Sequence, residues 1–82
     1  MADQADIIAE FEKCLCTVSH SRAGWDYQMS REQRAREDRE EKAALTRARA
    51  IWAENPGRHA ELRAAFVATN PLATFSEVEA AQ

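Results

Sequence analysis

Glycine and proline are scarce in this chain of 82 residues, two of each, and aromatic residues make up only 7% of it. A sheet protein would want more β-branched and aromatic side chains, and a loop-rich one more chain breakers, so strands are disfavoured and helix is left. Cysteine occurs twice, at Cys14 and Cys16. Two thiols so close in sequence cannot staple distant segments, which removes the disulfide-framework class. No apolar run approaches the roughly 20 residues of a membrane-spanning helix. The chain opens on Ala2, Asp3 and Gln4 and not on a charged, then apolar leader, so the expected location is cytoplasmic, with no membrane partner. A glycine-rich phosphate loop, a nucleophile elbow around serine and a zinc-protease pattern are all missing, so neither an enzyme nor a cofactor is expected.

Charge is plentiful. Eleven basic residues stand against fourteen acidic ones, for a net charge of -3. Phosphate contacts need an uncompensated positive surface, so nucleic acid is an unfavoured partner for the chain as a whole. The distribution is uneven: residues 1–30 and 64–82 are net acidic, 31–42 carry five charges of each sign, and only 43–63 are net basic.

What is present is helical periodicity. Ile7, Ile8, Phe11, Leu15 and Val18 recur at spacings of three, four and seven, which predicts an amphipathic helix over 3–18 with acids in its early turns. Periodicity then fades through Ser21, Gly24 and Asp26, and a connection is expected over 19–30. Ser30 followed by Gln33 reads as a capping box, and no breaker appears before Asn55, Pro56 and Gly57. A second helix over 31–54 would be a rod of about 36 Å. Its first half has one apolar residue, Ala35, and is held by charge pairs four apart such as Glu32 with Arg36. Its second half carries a stripe of Ala44, Leu45, Ala48, Ile51 and Trp52. Asn55 and Pro56 are placed to start a third helix over 57–68, and Thr74 with Glu77 a fourth over 74–81. The expected fold is all-α: a single domain over 1–82, a small bundle of three to four helices with one long central helix.

Cys14, Cys16 and His20 are the only cluster of soft ligands. On a helix, residues two apart point about 200° away from each other, and a closed zinc site needs a fourth ligand for which only the distant His59 remains. Core packing of Cys14 is the simpler reading, and no metal is expected. Nearby Glu10 and Glu12 would raise a thiol pKa, which disfavours a nucleophile. Paired carboxylates such as Glu37 with Asp38 face solvent among arginines and suit a solvated surface better than acid-base chemistry.

Binding is the class that remains. Trp25, Tyr27 and Met29 are residue types enriched at interface cores, and Arg34, Arg36 and Arg39 offer fork-shaped donors beside them. Trp25 folded back onto Phe11, Leu45 and Trp52 is the competing structural role. The expected function is a non-enzymatic protein-interaction module, a stoichiometric regulator or inhibitor of a larger intracellular protein, of the kind that phages and mobile elements encode. Homodimerisation through Ala44, Leu45, Ala48, Ile51 and Trp52 is expected as well, because a rod of that length outgrows the core a small chain can build. The alternatives are a DNA- or RNA-associated regulator using Arg47, Arg49, Arg58 and Arg63, and, third, a metal or redox role for the cysteines.

Overall fold

In the computed structural model, which describes residues 4–24 and 30–79, the chain is all-α. Helices α1 (Gln4–Gly24), α2 (Arg31–Glu54), α3 (His59–Thr69) and α4 (Phe75–Glu79) succeed one another, with a 3-10 turn at Pro56–Arg58, and no strand occurs among the described residues. Helices α1 and α2 form an antiparallel hairpin: Glu10 of α1 meets Arg47, whereas Ser21, eleven residues on, meets Glu37 and Glu41. Helix α3 packs on α1, and α4 lies against α2.

The inner stripes supply the core. Phe11, Leu15, Val18, Leu62 and Val78 are fully buried, joined by Ile51, Trp52, Ala48, Ala65, Leu45 and Cys14. Ile7, Ile8, Ala44, Phe66 and Phe75 close its edges. Phe75 sets its ring edge-on to Trp52 and Phe66, at 4.9 and 5.1 Å between centroids, so the short α4 is anchored by an aromatic cluster and by Val78. A helix of five residues has no stability of its own, and this packing is what keeps it folded.

Helix α2 has the bounds that its punctuation predicts. The hydroxyl of Ser30 accepts from Gln33 N–H at 3.1 Å, while the Gln33 side chain accepts from Ser30 N–H at 3.3 Å. Two expectations are corrected. Helix α1 continues through Gly24 where a connection is expected from Ser19: the polar residues of this extension find their partners on α2, on α4 and at Leu72, which sequence periodicity does not register. The Asn55 side chain makes no capping bond to the 3-10 turn at Pro56–Arg58. Its amide donates back to the Ile51 carbonyl at 2.8 Å, satisfying an end of α2. Asn70 ends α3 in the left-handed conformation, φ 50° and ψ 56°, which asparagine tolerates better than most residues.

Candidate functional site

The cysteines and histidines do not converge. Cys14 is buried and Cys16 exposed, both as free thiols, and no group of three or more metal-ligating side chains occurs among the described residues. Burial, reinforced by Glu10, pushes the Cys14 thiol pKa above its ordinary value. His20 is exposed. His59 is a structural residue: its ring stacks on Trp52 at 3.6 Å between centroids, 8° from parallel, and its Nε2 lies 2.8 Å from the Trp52 carbonyl oxygen.

The arginines of 47–63 are tied into the fold. Arg47 grips Glu10 through two bonds of 2.7 and 3.1 Å, which lowers the Glu10 pKa. Arg49 donates to the Glu77 carbonyl at 2.6 Å, Arg58 pairs with Glu61, and the Arg63 guanidinium sits 4.8 Å from the Phe75 ring centroid. Sequence reasoning passed over Arg22, the most connected cation of the described residues. It donates to Glu41 at 2.8 Å, to the Leu72 carbonyl at 2.8 Å, and to both carboxylate oxygens of Glu77 at 2.7 and 3.1 Å. The signal was its spacing, since positions 11, 15, 18 and 22 continue one helical face.

The residues expected at a dimer interface line the inside of one chain. Leu45, Ala48, Ile51 and Trp52 are buried and Ala44 is packed against the core, so a second copy would have to meet α2 on another side. Trp25, Tyr27 and Met29 lie outside the described residues. Arg34, Arg36 and Arg39 are exposed on the first half of α2, where only Glu37 and Glu41 of 31–42 are half-covered, through contact with Ser21 and Arg22.

An open face remains along the hairpin. On α2, Ala43, Thr46 and Ala50 form a shallow floor bordered by Arg39, Lys42 and Arg47. Beside it, Ala9, Lys13, Thr17 and Ala44 line a groove of about 500 Å³ between α1 and α2. The two meet at the Arg47–Glu10 pair. Small side chains make this floor low enough for another helix to approach closely. The long axis of the molecule is 42 Å, and no described helix is long and apolar enough to cross a membrane. Comparison with protein families, with curated proteins and with solved structures found no match to this chain.

Proposed function

We propose that this chain is a non-enzymatic helical interaction module that regulates or inhibits a larger protein by covering part of its surface. The observation that supports this reading is the state of Arg31–Glu40: a capped stretch of helix outside the core, with Arg36 and Arg39 exposed along it. An exposed helical stretch stabilised by its own capping box is already ordered, so a partner that binds it is spared much of the cost of ordering it. The nucleic-acid alternative is not favoured, because Arg47, Arg49, Arg58 and Arg63 are engaged within the fold.

A photo-crosslinking residue in place of Gln33, which is exposed, tests the reading in the cells that make the protein. The expected result is one covalent adduct with a larger protein, lost when Arg36 and Arg39 are changed to glutamate. No adduct, or an adduct insensitive to those changes, would refute it.

A further inference from the structure

We infer that α4 is a displaceable strap, and that the slot beneath it accepts a partner's segment of the same chemistry: an aromatic residue, a carboxylate two positions on, and an aliphatic residue after that. The slot is a surface separate from Arg31–Glu40, so the inference goes beyond the proposed interaction role.

Helix α4 itself defines what the slot holds. Phe75 stands edge-on to Trp52 of α2 and to Phe66 of α3, and the Arg63 guanidinium lies 4.8 Å from its ring centroid. Val78 is fully buried in the core. The Glu77 carboxylate accepts twice from Arg22, at 2.7 and 3.1 Å, and the Glu77 backbone carbonyl accepts from Arg49 at 2.6 Å. Arg22, Arg49 and Arg63 come one from each of the other helices. Glu41 accepts from Arg22 at 2.8 Å in a bond that does not involve α4, so the cation that meets the carboxylate keeps its place when α4 leaves. In the recess beside Arg49, Lys42 offsets Asp38. Three arginines against Glu41 leave the emptied slot positive, with aromatic walls, and this selects an acidic aromatic segment.

The rest of the fold does not depend on α4. Five residues are too few for a helix stable alone, and residues 70–74 join it to α3 outside any helix. Helix α1 packs on α2 and on α3 without α4 between them, so the strap can open as its own unit. Attachment and helix are also lost together, because the carboxylate that meets Arg22 accepts from Thr74 N–H at 2.8 Å at the start of α4.

The probe is a synthetic peptide carrying a phenylalanine-serine-glutamate-valine run, titrated to millimolar concentration into isotope-labelled full chains: the parent, Glu77→Gln and Arg22→Gln. Binding is expected to shift the amides of 75–79 and the Trp52 indole together. Glu77→Gln weakens the strap but not the peptide, so it should tighten apparent binding about tenfold. Arg22→Gln weakens strap and peptide alike and should bring no gain. A twin peptide with lysine in place of glutamate should not bind.

Equal affinity in the parent and Glu77→Gln chains, an equal gain in Arg22→Gln, binding of the lysine twin, or shifts elsewhere would each overturn the proposal. Cys14, buried in the core, should stay closed to a disulfide reagent in both variants; its exposure along with α4 would overturn the strap, since opening would then be unfolding. A dimer mass by light scattering for Glu77→Gln without peptide would assign the slot to the α4 of a second copy and overturn the partner reading. The Gln33 crosslink is independent of these results: its failure removes the interaction role of α2 and leaves the slot standing.

Discussion

Replacing Glu77 with glutamine should cost this fold about 1–2 kcal/mol at neutral pH, and less in acid. The carboxylate accepts two bonds from Arg22, at 3.1 and 2.7 Å, and one from Thr74 N–H at 2.8 Å. The Arg22 guanidinium first and the Thr74 N–H second hold its pKa down to about 2, against 4.5 ordinarily. A displacement of that size has a ceiling of about 3 kcal/mol. Water reaches both partners, whose side chains are 30% and 29% exposed, and screening lowers the figure. Glutamine keeps the shape and an oxygen for Thr74, so the charge is what the substitution removes. Because the folded-state pKa is depressed, this stability is present above pH 4.5 and drains away as pH falls from about 4.5 to about 2. Urea unfolding of the parent and Glu77→Gln chains at pH 7 and at pH 3 measures the gap directly. Equal midpoints at pH 7, or a gap that widens on acidification, would refute the ionic role given to Glu77.

Leu45→Asp and Ile51→Asp should both destabilise the fold of the single chain, Ile51→Asp by more than about 3 kcal/mol because it is buried in the apolar core, and Leu45→Asp by less because Lys42 and Arg49 lie beside it. Circular dichroism during thermal unfolding checks this: a monomer as stable as the parent with either substitution would contradict the assignment of these residues to the core of one chain. Cys16 should react with a disulfide reagent at pH 8 within the native state and Cys14 only on unfolding, because Cys14 is buried with a raised thiol pKa. Two rapidly reacting thiols in the folded protein would show that α1 opens far more readily than its packing implies.

The architecture was legible wherever one residue's neighbours in sequence decide its state. Ser30 and Gln33 satisfy each other across one helical turn, so the start of α2 is written locally. The stripes of α1 and α2 became the core because a 3.6-residue period already says which side must be dry. The end of α1 was not legible for the opposite reason. Ser19, Ser21 and Arg22 have loop-like polarity, yet Ser19 accepts from Leu72 N–H, Ser21 donates to Glu41, and Arg22 joins α2 to α4. Those partners lie nineteen to fifty-five residues away in sequence, and nothing in the local pattern announces them.

The same distinction explains the candidate surface. Leu45, Ile51 and Trp52 were read as an interface because a long helix in a short chain needs company, and the chain itself supplies it through α1, α3 and α4. Covering one side of α2 does not cover the other. A rod of about 36 Å nearly matches the 42 Å length of the molecule, so the remaining helices can flank it without surrounding it. Alanine and threonine at 43, 46 and 50 carry little hydrophobic signal, and periodicity based on large side chains passes over them. Their small size leaves the outer side of α2 shallow, a property that a period read from large side chains does not register.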